Sequence, residues 1–359
     1  MDTLERNIIE NIINKSGLEL FGIVSLEKEQ RFDFFSQWLK NKKNAEMDYL
    51  QNHLNCRKDP RNILPGSSKA IIIGLSYYQG DKYKRDAPSK IAQYARLKDY
   101  HKTIKKKSQD IIDKLRNFHH GPEAFLARSV TDSAPILERA LAEKTISGFI
   151  GKNTCFIHPQ KGSFYLLGEI LTNLNITEDQ NTYVNPTKRT KQGGCGTCKR
   201  CQVYCPTGAL DKDYQIDARK CLAYYTIEHR GIIPLEFWPH LKKYFFGCDI
   251  CQLVCPYNKS IPQISKEKVV LESHPSLYEI AVMDQSFYEK TFGGTPLTRA
   301  KISGLKRNAL IAMIVGKDSR LSDVINHVKE HDKHIKVLQE TLEQYTNSWL
   351  KKSVQNPDL

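Results

Sequence analysis

Apolar residues alternate between helical and strand spacing along the first 175 or so positions, and each change of period marks a new element. Leu4, Ile8, Ile9, Ile12 and Ile13 recur at helical spacing over residues 3–16, and Gly17 stands where a helix stop belongs. Residues 18–26 read as a strand and residues 32–39 and 45–54 as helices, with Asp59-Pro60-Arg61 and Pro65-Gly66 as loop and turn. The continuous apolar run over 70–78 predicts a strand buried on both faces. A basic amphipathic helix is expected over 103–118 and a short strand within 123–130. Pro135 is placed to open a helix continuing through 136–144, and residues 163–174 read as a further helix. Strands alternating with helices predict an N-terminal α/β or α+β domain over 1–176.

Polarity rises over 177–192, where Pro186 and the basic cluster Lys188, Arg189 and Lys191 suggest a linker. A cysteine-rich domain follows within 177–262, and helical patterns return over 263–359, apolar at 309–314 and strongly charged over 322–345. The chain is therefore expected to hold three domains. Its longest strongly apolar runs, 70–75 and 309–315, are far shorter than the ~18–20 residues that cross a bilayer. The N-terminus carries acid at once, with no apolar stretch behind it, so neither export nor a membrane span is expected and a cytoplasmic monomer is.

Charge and cysteine change the picture next. Lys plus Arg is 54 against 40 Asp plus Glu, a formal charge of +14 that calls for an anionic partner. Eight of the ten cysteines lie between Cys195 and Cys255, leaving only Cys56 and Cys155 outside, which are expected to be part-buried thiols. The first run is Cys195-x2-Cys198-x2-Cys201-x3-Cys205-Pro206, the spacing of bacterial ferredoxins. The second is Cys248-x2-Cys251-x3-Cys255-Pro256, with Phe245 where a further cysteine would sit and Cys221 between the runs. In such a pattern the cysteine before proline serves the other cluster. Cys195, Cys198, Cys201 and Cys255 then form one four-thiolate set, and Cys205, Cys221, Cys248 and Cys251 the other. Paired C-x2-C units also build structural zinc sites, but zinc requires neither three evenly spaced cysteines nor two x3-Cys-Pro endings. Two 4Fe–4S clusters in a ferredoxin-like domain are the expectation. They move single electrons without naming a reaction, because such potentials span roughly −700 to +450 mV.

Several stretches carry a resemblance: Arg57-Lys58-Asp59-Pro60-Arg61 with Leu64-Pro65-Gly66, Asp99-Tyr100-His101-Lys102, Thr131-Asp132-Ser133-Ala134-Pro135 and Gly151-Lys152-Asn153-Thr154. Further on come Leu167-Gly168-Glu169, Cys205-Pro206-Thr207-Gly208-Ala209, Thr226-Ile227-Glu228, Phe246-Gly247-Cys248-Asp249 and Gly304 through Leu310. In these the chain resembles the epoxyqueuosine reductase family, relatives of the cobalamin-dependent reductive dehalogenases. The resemblance implies reduction of epoxyqueuosine to queuosine at the wobble position of a tRNA. It implies base-off cobalamin held between the N-terminal and cluster domains, an external low-potential electron donor and a HEAT-like tRNA-binding C-terminal segment. An iron–sulfur electron-transfer protein, a zinc-stabilised RNA-binding module and a dehalogenase acting on a small organohalide are the rivals.

Asp132 carries over as the proton donor, because the epoxide oxygen leaves as water and must be protonated. A carboxyl held neutral by burial beside the corrin could do this. The residues alone support another role, since Thr131, Asp132 and Ser133 precede a proline where helix caps are common. The two roles are compatible. Arg57, Asp132, Thr154 and the stretch from Leu167 to Glu169 are the expected cobalamin contacts by resemblance. His101 is a residue type that binds metals, but a solvent-facing or hydrogen-bonded histidine is commoner, and no axial role is assigned to it. A tRNA partner gives the excess of base a purpose, concentrated at Lys105-Lys106-Lys107, Lys188-Arg189-Thr190-Lys191, Arg299 with Lys301, and Lys306-Arg307.

Overall fold

The apolar run beginning at Ala70 becomes a strand whose two neighbours both run against it. In the computed structural model, which describes residues 4–80, 89–179, 193–261, 265–271 and 275–351, the chain opens with α1 (Arg6–Lys15), β1 (Glu19–Ser25), α2 (Phe32–Lys40), α3 (Leu54–Lys58) and β2 (Lys69–Ser76). Next come β3 (Lys90–Ile91), α4 (Tyr100–Leu115), β4 (Ala127–Val130), α5 (Glu138–Glu143), β5 (Phe149–Ile150), β6 (Phe156–Ile157) and β7 (Tyr165–Thr172). The cysteine-rich part holds α6 (Arg200–Val203), α7 (Leu222–Ile227), α8 (Trp238–Leu241), β8 (Tyr244–Phe246) and α9 (Ile250–Leu253). Helices α10 (Leu277–Val282), α11 (Gln285–Phe292), α12 (Lys301–Gly316), α13 (Leu321–Glu330) and α14 (Lys336–Gln344) complete it.

The chain folds as two units. One comprises Met1–Gln79, Tyr100–Ala218 and Ile250–Glu267, the other Gly80–Asp99, Arg219–Asp249 and Lys268–Leu359. These interleave along the chain. Among the described residues no helix is long and apolar enough to cross a membrane.

The first unit is built on an antiparallel sheet of order β1-β2-β7-β4. Ile71, Ile73 and Leu75 of β2 face α1 and α4, packing with Ile9, Ile13, Ile104 and Ile111. Ala70 and Ile72 face the other way, toward Val130, Ile136, Leu141 and Phe156. Both faces are thus covered, which explains the unbroken apolar run even though its neighbours are antiparallel. Each fully buried isoleucine there contributes about 1.5–3 kcal/mol. Gly17 ends α1 in the left-handed region at φ 72°, as its position suggests.

Three expectations about local structure change. Residues 163–174 form a strand, β7, pairing Tyr165 through Thr172 with Ser76 through Lys69. Its outer residues are apolar on both faces, and period alone cannot separate such a run from a buried helix. Gly168 belongs to the strand reading, because a Cβ there would stand 2.8 Å from the Ile104 side chain of the helix crossing over it. Residues 45–54 do not form one helix. A 3-10 turn at Asp48–Gln51 is separated from α3 by His53 in the left-handed region. Pro135 does not open α5, which starts at Glu138 with Leu137 before it and no side-chain cap. The antiparallel pairing makes the expected α/β or α+β domain a mixed fold of the second kind.

The second unit is organised by α12, buried from Gly304 to Val315. A helix enclosed all round should be apolar all round, yet this one carries Lys306, Arg307 and Asn308 at 2%, 1% and 0% exposure. Lys306 pairs with Asp332 and donates to the Met283 carbonyl. Arg307 donates to the carbonyls of Tyr225, His229 and Gly231. Lys306-Arg307 is therefore no nucleic-acid contact: these cations hold loop backbone inside the unit. Asn308 Nδ2 donates to the Thr226 and Phe245 carbonyls at 2.8 and 2.9 Å. Asn308→Ala leaves both carbonyls buried without a partner and is expected to cost about 2–4 kcal/mol in a denaturant melt. A loss under about 0.5 kcal/mol, the range of an ordinary surface substitution, would contradict that role.

Candidate functional site

Two clusters of reactive side chains lie within the first unit. One surrounds Asp132, immediately beyond the end of β4. Thr131 Oγ1 donates to the Leu167 carbonyl at 2.7 Å, tying the turn to β7. Asp132 itself takes φ 41°, a left-handed conformation that aspartate enters more readily than most residues. Its N–H donates to Glu138 Oε1, from the first turn of α5. The side chain faces α4: Tyr100 donates its hydroxyl to Oδ2 at 2.7 Å, and His101 Nε2 lies 3.0 Å from the same oxygen. The Tyr100 and His101 rings stack 4.1 Å apart.

The resemblance called for burial of this carboxyl, but 57% of the Asp132 side chain is exposed. Burial lies instead one layer behind it. Glu169 sits opposite both Ile72 and Val130 in the sheet register. Those neighbours belong to the apolar cluster under α5, so the Glu169 carboxyl enters the same cluster. It is 0% exposed, and neither oxygen has a hydrogen-bond partner. Burial, reinforced by Glu138 and Asp132, pushes its pKa well above the ordinary carboxylate range. Glu138 is pushed up to about 7, first by burial and then by Asp132, with Arg139 and His101 opposing.

The other expected contacts fall around this centre. Arg57 is buried, with its guanidinium 5.6 Å from the Phe35 ring centroid and its Nε unpartnered. The Leu167 carbonyl receives Thr131, while its half-buried side chain packs with the cluster under α5. Thr154 lies in the left-handed region at φ 64°, and Arg139 donates to its carbonyl at 2.6 Å. Glu169, expected with Leu167 among the cobalamin contacts, is enclosed in this structure. Tyr100 and Glu138 had no assigned role, and the helical reading of 163–174 concealed that Glu169 is an acid on a buried strand.

The second cluster is of cysteines. Cys195, Cys198, Cys201 and Cys255 line one hollow, with Lys152 and Tyr257 at its edge. Ile157 and Cys255 line it and pack with Phe149 in a small apolar cluster. The Lys152 N–H lies 3.4 Å from Cys195 Sγ and donates to it, and Tyr257 donates to the Gly194 carbonyl at 2.8 Å. Gly193 and Gly194, at φ 126° and 107°, carry the chain into the hollow in conformations that other residues rarely adopt. Burial pushes the Cys255 thiol up to about 12 and Cys201 up to about 11. Four sulfurs in an apolar hollow, one already facing an amide N–H, suit an iron–sulfur cluster, whose iron would displace those protons.

Of the other four-cysteine set, Cys205 and Cys251 belong to the first unit and Cys221 and Cys248 to the second. Cys251 lies on α9, and Cys221 immediately precedes α7. Cys56 and Cys155 are part-buried and in no disulfide. The basic cluster at 188–191 lies outside the described residues.

Residues 194–258 match a family model described as a 4Fe-4S double cluster binding domain, and this span includes all eight clustered cysteines. Residues 57–133 match the model described as Epoxyqueuosine reductase QueG, DUF1730. The chain is 34% identical over 286 residues to the epoxyqueuosine reductase of Cellulophaga algicola, covering 78% of this chain and 88% of that one. With the Escherichia coli enzyme of the same name it shares 31% identity over 324 residues, 87% of this chain and 82% of the other. Among solved structures it is similar to epoxyqueuosine reductase from Streptococcus thermophilus, at TM-score 0.74 and 26% identity over 90% of this chain and 84% of that one. An epoxyqueuosine reductase crystallised with an epoxyqueuosine-modified tRNA-Tyr stem loop has the same fold, at TM-score 0.78 and 23% identity over 90% of this chain and 84% of the other.

Proposed function

The chain belongs to the epoxyqueuosine reductase family, and on that premise we infer that it reduces epoxyqueuosine to queuosine in tRNA at the Asp132 turn. Membership sets aside the electron-transfer adaptor, the zinc module and the organohalide reductase. The observation that carries the site is the exposed Asp132 carboxyl, held between Tyr100 and His101 and backed by Glu138.

In this reading Asp132 is the acid that protonates the departing epoxide oxygen. Tyr100 and His101 aim its Oδ2, and the Thr131–Leu167 bond keeps the turn against the sheet. Its exposure means that desolvation must come from what covers it. Base-off cobalamin, when bound, supplies the low-valent cobalt for two-electron chemistry, the part of the reaction that no side chain here can perform. The exposed acid and the half-buried Leu167 would be among the residues that hold it. Thr154 and Arg57 are its further contacts, Arg57 through the Nε that has no partner in the protein. Cys195, Cys198, Cys201 and Cys255 hold one 4Fe–4S cluster, and Cys205, Cys221, Cys248 and Cys251 the other. The two clusters pass single electrons from an external low-potential donor.

Helix α4 supports a tRNA path. Its first turn carries Tyr100 and His101, and Lys105 and Lys106 lie exposed about 8 Å further along the axis. Lys107 is held by Glu267, and Arg299 by Glu228. The helices α10–α14 complete the grip as a HEAT-like region. Reversing Lys105 and Lys106 together to Glu is expected to flatten the log–log salt dependence of tRNA binding by about 2. An unchanged slope would move the RNA path away from α4.

The decisive experiment supplies the cluster-loaded protein with cobalamin, a strong reductant and tRNA bearing epoxyqueuosine, followed by nucleoside analysis. Queuosine is the expected product. Unchanged epoxyqueuosine with clusters and cobalamin both bound would overturn the assignment.

A further inference from the structure

Reducing an epoxide to an alkene consumes two electrons and two protons. Both C–O bonds break, a C=C bond forms and the oxygen leaves as water. The electrons arrive singly from the external one-electron donor through the clusters. A single carboxylic acid at Asp132 supplies one proton, so a second must reach the same place before water can leave. This inference rests on the reading of Asp132 as the acid.

The surroundings of Asp132 hold a store for that proton. Glu138 Oε1 already meets the Asp132 N–H. Glu169 stands on β7 opposite Val130, two residues before Asp132, in the apolar cluster under α5. Both Glu169 oxygens lack any protein partner at 0% exposure. A carboxylate in such a place, without hydrogen bonds or a counter-ion, is strongly disfavoured against the neutral acid. Two neighbouring carboxyls near a third cannot all ionise, so the group retains protons where isolated carboxyls would have lost them.

We propose that Glu138 and Glu169 store the second proton of the reaction, and that Glu138 passes it to the Asp132 carboxylate after the first has gone to the epoxide oxygen. The ledger then closes. Asp132 gives one proton and regains one from Glu138, then gives that one to the leaving oxygen. The Glu138–Glu169 pair refills from solvent between turnovers. The groups facing Glu138 are Asp132, Arg139 and His101, with Arg57 on α3 and Glu169 on β7. Burial outweighs the cations among them, and Glu138 titrates near 7. The store is full below that pH and empties above it, so turnover should decline as pH rises through about 7.

Glu138 also holds the turn, and the substitution chosen to test storage must leave that role intact. Glu138→Gln does so, since its amide oxygen still accepts the Asp132 N–H while the ionisable proton is gone. The expected result is a fall in kcat on the order of 10²-fold, with KM for tRNA unchanged and the alkaline limb near pH 7 absent. Glu138→Asp should restore part of the rate and return a limb. Glu169→Gln should lower kcat, because the pair loses one of its two proton sites, while the limb set by Glu138 stays near pH 7. If both glutamine variants keep the parental kcat and limb while Asp132→Asn is inactive, the store is refuted and Asp132 stands. A Glu138→Gln variant that loses activity only through KM, with its limb unmoved, likewise refutes storage and leaves Glu138 a positioning residue. If Asp132→Asn turns over normally, the fault lies in the acid assignment itself.

Discussion

Asp132→Asn is expected to lower kcat for epoxyqueuosine reduction by about 10²–10⁴-fold, the range for removing a positioned general acid. The amide is nearly the same size, and its oxygen can still accept the Tyr100 hydroxyl that now reaches Oδ2 at 2.7 Å. Position is kept and the transferable proton is lost. Since all eight cluster cysteines are unchanged in this variant, the iron–sulfur absorbance should be unchanged, and corrinoid binding should persist. Nucleoside analysis of treated tRNA reads the rate, and the two chromophores report whether the site is loaded. A variant at the parental rate would place the proton donor elsewhere.

The second large effect is at the cluster ligands. Cys255→Ala should remove one cluster, lowering iron from about eight to about four per chain, and abolish turnover, because electrons would lose their relay. Cys255 comes from the second cysteine run yet lines the same hollow as Cys195, Cys198 and Cys201. Cys205→Ala should empty the other cluster and leave this one intact. Iron analysis with low-temperature paramagnetic resonance on the reduced protein separates the two. If Cys255→Ala instead removes the cluster served by Cys248 and Cys251, the exchange of the cysteines before proline between clusters is wrong.

Electron supply and proton supply were unequally legible in the sequence. Thiolate spacing of two and three residues is short enough for one turn of chain to wrap a cluster, so the double-cluster pattern is read locally. Proton chemistry has no such signature. Tyr100 and Asp132 are 32 residues apart, and only the packing of α4 against the sheet brings them together. Glu169 looks like one acid in a mixed segment until β7 is recognised as a strand between β2 and β4. Burial then raises its pKa well above that of an ordinary carboxylate. The same limit explains the misplaced basic patch: Lys306 and Arg307 read as exposed charge, because nothing local says that α12 is enclosed on every side. Pro135 misled for a related reason, since the turn before α5 is set by Asp132 and Glu138, not by helix-start chemistry.

By itself, then, the sequence determined the double-cluster cysteine pattern, the apolar central strand, several N-terminal helices and, through its motifs, the family. Those are matters of residue type and short-range spacing, which the covalent chain carries unchanged into the fold. Only the tertiary structure decided which charges are buried, which acid is exposed and which carboxyls surround it. Desolvation and the fields of neighbouring groups set protonation, and both depend on residues that are distant in the chain and adjacent only after folding.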